Sequence, residues 1–229
     1  MTKELIEIKV AVIIAFFNGN KYIEEQLKSI FAQTHKNIKI FIFDDNSKHS
    51  LKKNLVKSNK KNPLISIIKR GENVGYAKNF LYGIRDIHEY FDYYAFCDQD
   101  DIWHKSKLRL IIEKYNSRQD GKPVLIHSDL SLIDNKGKLL EKSHNKLINY
   151  QKNLISKKKS IYYNPVPGCA MSINSALADK IFYSQYMVMH DWWILLSAMN
   201  LNSNVVYINS PLVQYRQHAG NVLGYKKIN

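Results

Sequence analysis

The sequence predicts an α/β domain built on an open, mainly parallel sheet with helices on both faces. Across residues 10–127, short apolar runs alternate four times with segments of helical periodicity, which is the pattern of successive strand–helix–strand units. The first of these runs, Val10–Ala15, is apolar throughout and β-branched, which marks a strand buried on both faces. Polar and charged residues gather directly after several of these runs, at the strand ends where open α/β sheets hold their ligands.

Taken in order, Val10–Ala15 is the first strand, and Phe16-Phe17-Asn18-Gly19-Asn20 ends it with a turn signal. Ile23, Leu27, Ile30 and Phe31 then recur at helical spacing. Ile38–Phe43 is a second buried strand, ending in Asp44-Asp45-Asn46-Ser47, and a Lys-rich helix is expected over Leu51–Asn59. Leu64–Ile68 reads as the third strand, ending in Lys69-Arg70-Gly71. Ala77, Phe80, Leu81, Ile84 and Ile87 predict a helix, Tyr93–Cys97 the fourth strand, Leu108, Ile111, Ile112 and Tyr115 a helix, and Val124–His127 the fifth strand. Past Ser128 the alternation weakens. Asp134-Asn135-Lys136-Gly137 reads as a hairpin turn, and Glu141–Lys159 as a polar, Lys-rich, mobile loop. A short strand (Ala170–Ile173), two helices (Ser175–Phe182 and Trp192–Met199) and two strands (Val205–Ile208 and Leu212–Tyr215) complete the reading.

A chain of 229 residues with 45% hydrophobic content suits a single domain with a sizeable core. The longest apolar run, Val10–Phe17, is far short of the about 18–20 residues that cross a bilayer. The first nine residues carry both charge signs and lack the pattern of a secretory signal. Cys97 and Cys169 form neither a disulfide framework nor a zinc-ligand spacing, so a reducing cytoplasm is the expected setting. The net charge of +14 concentrates at Lys52-Lys53, Lys60-Lys61, Lys157–Lys159 and Lys226-Lys227. No arginine-rich helix, zinc finger or RNA-binding signature accompanies it, so nucleic acid is not the expected partner. An anionic membrane surface would attract such lysines at about 1 kcal/mol each. A solvated basic surface is the plainer alternative.

The fourth predicted strand carries the most chemistry. Tyr93–Cys97 is followed at once by Asp98, Asp100 and Asp101, with Trp103 beyond. Like charges so close raise one another's pKa, and a hard divalent cation, Mg²⁺ or Mn²⁺, relieves them. An acidic turn capping a helix is the alternative for the same residues. The residues after the four strands form a set: Phe17-Asn18, Asp44-Asp45, Lys69-Arg70 and Asp98-Gln99-Asp100-Asp101. That set suits a nucleoside diphosphate, with acceptors for base or ribose, cations for phosphate and carboxylates for metal. No Gly-x-Gly-x-x-Gly follows the first strand and no phosphate-binding Gly-Lys-[Ser/Thr] loop occurs, so a carboxylate-held metal is the expected way to neutralise the diphosphate.

The motifs Val12–Asn18, Phe43–Ser47, Asn73–Asn79 and Asp98–Trp103, in this order and spacing, resemble the family-2 glycosyltransferases with a GT-A, Rossmann-like fold, and especially their rhamnosyltransferase-like branch. The resemblance implies a nucleotide-binding half, 1–128, and an acceptor-side half, 129–229. It implies inverting transfer from a nucleotide sugar, dTDP-rhamnose or a UDP-hexose, to a glycan or lipid-linked glycan in cell-surface polysaccharide synthesis. Carried over position by position, Phe17 and Asn18 flank the base, and Asp45, with Asp44 beside it, accepts from base or ribose. Arg70 belongs to the nucleotide-binding set. Asn73 and Gly75 shape the wall beside the donor, with Lys78 and Asn79 on the helix behind. Asp100 is expected to touch the metal and Asp98 to serve metal and ribose, while Asp101 and Trp103 border the sugar. Asp191, in Met189-His190-Asp191-Trp192-Trp193, is the expected base, with His190 and Trp192 toward the substrate. Gly168 would face the acceptor, Arg216 would clamp phosphate, and His218 would add a metal ligand. Competing readings are a silent nucleotide-sugar-binding protein and a Mg²⁺-dependent phosphohydrolase, although the latter places an Asp where Asn18 stands.

Overall fold

The computed structural model describes residue 4 and residues 6–49, 51, 63–87, 90–116, 121–150 and 155–221. Its strands are β1 (Val10–Phe16), β2 (Ile38–Asp44), β3 (Ile65–Lys69), β4 (Tyr93–Cys97), β5 (Ile102–Trp103), β6 (Val124–Ile133), β7 (Leu139–Glu141), β8 (Met171–Asn174) and β9 (Asn204–Arg216). The helices are α1 (Ile23–Phe31), α2 (Tyr76–Asp86), α3 (Lys107–Asn116), α4 (His144–Leu147), α5 (Lys157–Ser160), α6 (Ser175–Ala178) and α7 (His190–Asn200).

One sheet runs in the order β3-β2-β1-β4-β8-β6-β9-β5, with β7 paired to β6. The first four strands are mutually parallel, as the alternation predicts. The strand expected at Val124–His127, β6, does not lie directly beside β4. Antiparallel β8 is inserted between β4 and β6, and β9 then runs parallel to β6.

The apolar runs are explained by two cores. Val10, Val12, Ile14 and Phe16 of β1 pack with Ile23, Leu27 and Ile30 of α1 and with Leu108 and Ile112 of α3. The intervening Ala11 and Ile13 face the other way, onto Phe80, Leu81 and Ile84 of α2 and Ile194, Leu195 and Ala198 of α7. Each such side chain, fully buried, contributes about 1.5–3 kcal/mol, so neither face of the strand tolerates a polar residue.

The second half departs further from the sequence reading. β6 does not stop at His127 but continues to Ile133, with all ten residues buried, including the polar His127 and Asp129. The strand therefore crosses position 128, and both halves share one sheet. Two expected strands are a single β9, whose register against β6 slips around Asp129 at Pro211. Proline has no amide to donate, and a bulge is where a ladder accommodates it. The helix expected to reach Phe182 ends at Ala178, and the segment read as a mobile loop holds the end of β7 and the one-turn helices α4 and α5. The helix expected over Leu51–Asn59 lies outside the described residues except for Leu51, which is buried. Among the described residues no helix is long and apolar enough to cross a membrane.

Gly83 shows how tightly α2 lies on the sheet. A Cβ there would stand 2.8 Å from Cε2 of Phe43 and 3.3 Å from Cγ2 of Ile13. Gly83→Ala should therefore lower stability by about 1–3 kcal/mol through overpacking, outweighing the gain of about 1 kcal/mol in helix propensity. A urea midpoint equal to or above wild type would contradict this packing.

Candidate active site

The carboxyl ends of β1 and β4 open onto a cavity of about 790 Å³, closed on the far side by the 162–169 segment and the start of α7. Its floor is the junction of the turns after β1 and β4. The amide of Phe17 donates to Oε1 of Gln99 (2.9 Å), and Nε2 of Gln99 donates back to the Phe17 carbonyl (3.3 Å). A Cβ on Gly19 would fall 2.0 Å from Oε1 of Gln99, so any other residue there would displace the Gln99 side chain from this junction. Phe17 lines the cavity and is 44% exposed.

Asp45 also lines the cavity. Its Oδ1 accepts from the Val74 amide (2.8 Å) and its Oδ2 from the Gly75 amide (2.9 Å), while Nδ2 of Asn73 donates to its carbonyl (3.0 Å). Gly75 has φ +82°, a conformation that favours glycine, and its turn leads directly into α2. Asn73 and Gly75 thus act through Asp45 and do not line the cavity. Asn79 does line it, but its side chain is committed, donating to the Phe43 carbonyl (2.7 Å) and accepting from Nε of Arg70 (2.9 Å).

Several expected contacts are relocated by the fold. Arg70 pairs with Asp86 (2.5 Å) and stacks over Phe43, and it does not line the cavity. Asp44 is buried, accepting from the Ser47 amide (2.9 Å), and Asn18 accepts from the Lys48 amide (3.1 Å). Asp101 is fully buried and accepts from the Arg216 amide (3.0 Å). Trp103 belongs to the core, with the Lys107 ammonium 3.6 Å from its ring centroid. Arg216 is buried too, bonded to the Asp100 carbonyl (2.8 Å) and to Glu25 (2.5 Å) and stacked over Tyr22. Asp101, Trp103 and Arg216 share one reason: β5 and β9 pair antiparallel, which draws the residues after Asp100 and the end of β9 into the core beside the cavity.

Asp98 and Asp100 remain at the cavity. Burial above all, then the charges of Asp100 and Asp191, push the Asp98 carboxyl up to about 7, against an opposing pull from Lys107. Nε2 of His218 lies 2.8 Å from Oδ2 of Asp100, and Nδ1 of the same ring accepts from the Gly220 amide (3.0 Å). That leaves Nε2 to carry the proton and donate to Asp100. Tyr22 stacks on the ring at 5.1 Å. Deeper in, ligand atoms of Asp98, Asp101 and Cys169 lie within 4.8 Å of one another, and Oδ2 of Asp101 is buried without a hydrogen-bond partner. Burial pushes the Cys169 thiol well up, so a soft thiolate is not on offer. The clustered carboxylate oxygens of Asp98 and Asp101, one of them unsatisfied, fit a hard divalent ion.

The opposite wall begins at α7. Asp191 sits in the first turn and accepts from the Trp192 amide (2.7 Å), where the helix dipole favours a negative charge. Burial, followed by the charges of Asp191 and Asp98, raises the Tyr76 phenol pKa, so both carboxylates bear on one cavity from separate elements. His190 stacks on Phe80 at 4.2 Å, with both ring nitrogens lacking a hydrogen-bond partner, and burial lowers its pKa and keeps the ring neutral. A Cβ on Gly168 would come 2.5 Å from Nε2 of His190, so this glycine makes room for the His190 ring. Trp192 lines the cavity and donates from Nε1 to the Ser160 carbonyl (2.6 Å).

Gln99, Lys107 and Tyr76 are the residues the sequence reading passed over. Lys107 is fully buried, donates to the Cys169 carbonyl (2.8 Å), and has its pKa lowered to about 8 by burial. Its periodicity in α3 is that of a core position, and an ammonium at such a place beside an acidic cluster was the available signal. Gln99, between two aspartates and opposite a glycine-containing turn, was a weaker one.

A model of glycosyl transferase family 2 matches residues 11–179, most of the chain, and the chain belongs to that family. It is a glycosyltransferase with the GT-A fold. It is similar to the dTDP-rhamnosyl transferase RfbG of Shigella flexneri, 31% identical over 92% of this chain and 73% of the relative. An uncharacterized glycosyltransferase of Rickettsia typhi, RT0329, is 27% identical over 91% of this chain and 64% of its own length. Among solved structures, S. aureus TarS 1-349 in complex with UDP-GlcNAc superposes with a TM-score of 0.69 at 16% identity, over 93% of this chain and 60% of TarS 1-349. The mannosyltransferase PcManGT from Pyrobaculum calidifontis, in complex with GDP-Man and Mn²⁺, gives 0.62 at 15% identity, over 88% of this chain and 55% of that one.

The raised Asp98 carboxyl has a thermodynamic signature. Its ordinary value is 3.8 and its folded value about 7. Between these values the folded state holds more protons than the unfolded, so this group's contribution to stability falls as pH rises through the window. In metal-free buffer, Asp98→Asn should gain stability on wild type from about pH 4 to about pH 7, with the difference level above that. Parallel melting-temperature profiles for the two proteins would contradict it.

Proposed function

We propose that this chain catalyses inverting glycosyl transfer from a nucleotide-sugar donor to a glycan or lipid-linked glycan acceptor in cell-surface polysaccharide synthesis. The observation that carries the reading is one cavity with Asp98 and Asp100 on the strand-end wall and Asp191 on the α7 wall. An in-line displacement at an anomeric carbon needs that separation: the leaving diphosphate departs toward one wall, and the incoming hydroxyl gives up its proton at the other.

In this reading Phe17 and Asp45 lie against the base and ribose. Asp98, Asp100 and His218 would hold Mg²⁺ or Mn²⁺, which when bound offsets the charge on the leaving diphosphate. PcManGT, whose structure contains GDP-Man and Mn²⁺, supports divalent metal use by this fold. Asp191 accepts the acceptor hydroxyl's proton through its carboxylate. His190, neutral and packed against Phe80 and Gly168, backs the same wall beside it, and Trp192 offers an aromatic face to a sugar. Arg216 acts by holding the Asp100–Asp101 turn and not by clamping phosphate. Similarity to RfbG puts dTDP-rhamnose first among donors, and the UDP-GlcNAc complex of TarS keeps a UDP-hexose as the alternative.

A thermal-shift screen of nucleotide sugars with and without Mn²⁺, followed by transfer assays with the stabilising donor, tests this. Asp100→Ala should lose the Mn²⁺-dependent part of the donor shift. Asp191→Asn should keep that shift and lose turnover by about 10²–10⁴-fold. Turnover undiminished in Asp191→Asn would remove the assigned base, and a donor shift indifferent to both Mn²⁺ and Asp100→Ala would remove the metal site.

A further inference from the structure

The surface changes character around the mouth of the cavity. From residue 142 to residue 178 the chain contains no Asp and no Glu. Lys142, Lys146, Lys157 and Lys158 are exposed along this stretch, on and beside α4 and α5. Apolar side chains stand in solvent among them: Tyr162 is 80% exposed, Ile161 56%, Leu147 41% and Ile148 37%. His144, Ile148, Tyr162 and Tyr163 also line the cavity, so α4 and the segment after α5 meet at its rim.

We infer that this rim docks on an anionic lipid bilayer, with the lysines among the headgroups and Leu147, Ile148, Ile161 and Tyr162 at the boundary with the acyl chains. The inference deepens the glycosyl-transfer reading and rests on it for its purpose, which is to set the mouth against a lipid-anchored acceptor. The two kinds of side chain together decide the occupant. Lysines alone would suit any polyanion, each worth about 1 kcal/mol near an anionic surface. Exposed isoleucine and leucine gain nothing from a soluble polyanion, whereas the interface of a bilayer accepts them and favours tyrosine, with its apolar ring and polar tip. The absence of acidic residues removes the repulsion that would oppose approach to anionic headgroups.

Co-sedimentation with vesicles tests the inference, using phosphatidylcholine alone and phosphatidylcholine mixed with phosphatidylglycerol, with no sugar donor present. Wild type should bind the mixed vesicles and not the neutral ones. Lys157→Glu/Lys158→Glu should weaken binding at least about tenfold. Ile161→Ser/Tyr162→Ser, which leaves the charge unchanged, should also weaken it, while Lys28→Glu/Lys36→Glu should have the smaller effect. All these positions are exposed, and melting temperatures equal to wild type would show that the variants fold. Equal binding to both vesicle types, or binding indifferent to Ile161→Ser/Tyr162→Ser, would overturn the inference, the latter in favour of a soluble polyanion. Since no donor is used, vesicle binding lost with donor binding intact refutes only the docking, and the converse refutes only the glycosyl-transfer reading.

Discussion

The site depends on a charge balance set beneath it. Asp98, Asp100 and Asp101 follow one another off the end of β4, and burying them together would be prohibitive without compensation. The fold places Lys107 under them from α3 and brings Arg216 across from the last residue of β9, where it binds the Asp100 carbonyl and Glu25. Two cations therefore hold an acidic turn in place, while burial and then the charges of Asp100 and Asp191 still keep the Asp98 carboxyl raised against the pull of Lys107. A site stabilised in this way keeps its carboxylates fixed in place by partners from distant parts of the chain.

Much of this was legible in the sequence, and the boundary of what was legible has a physical cause. The apolar runs of β1, β2 and β4 identify themselves because both faces are buried, while β3, at the sheet edge, is only half-buried and is legible from its apolar residues alone. The motifs after them are local, so Asp45, Asp98 and Asp100 could be placed at the cavity from their own neighbourhoods. The second half depends on long-range pairing. Nothing near residue 171 says that β8 inserts between β4 and β6, and nothing near Ser210 says that Pro211 sits in a bulge within one long strand.

The same cause explains which site residues moved. Arg70, Arg216, Asp101 and Trp103 carry the chemistry expected of ligand contacts, and the sequence has no way to show that partners remote in the chain already occupy them. Asp86 holds Arg70, and the β5–β9 pairing draws in the other three. Conversely, Gln99 and Lys107 matter through what they touch across the fold, and neither stands in a pattern that announces it. Gly168 lines the cavity, and what the fold requires of it is room for the ring of His190 lying against it.

Because β6 runs unbroken across position 128, and β8 ties it to β4, the strands behind the cavity belong to a single hydrogen-bonded plate. Such a plate cannot swing apart as two jaws without breaking its ladders. Traffic into the cleft must then be governed at its lip, by the short helical turns and loops there, while the interior stays fixed. A lineage of such enzymes could change what it accepts by rewriting those few connecting residues and leave the machinery beneath untouched.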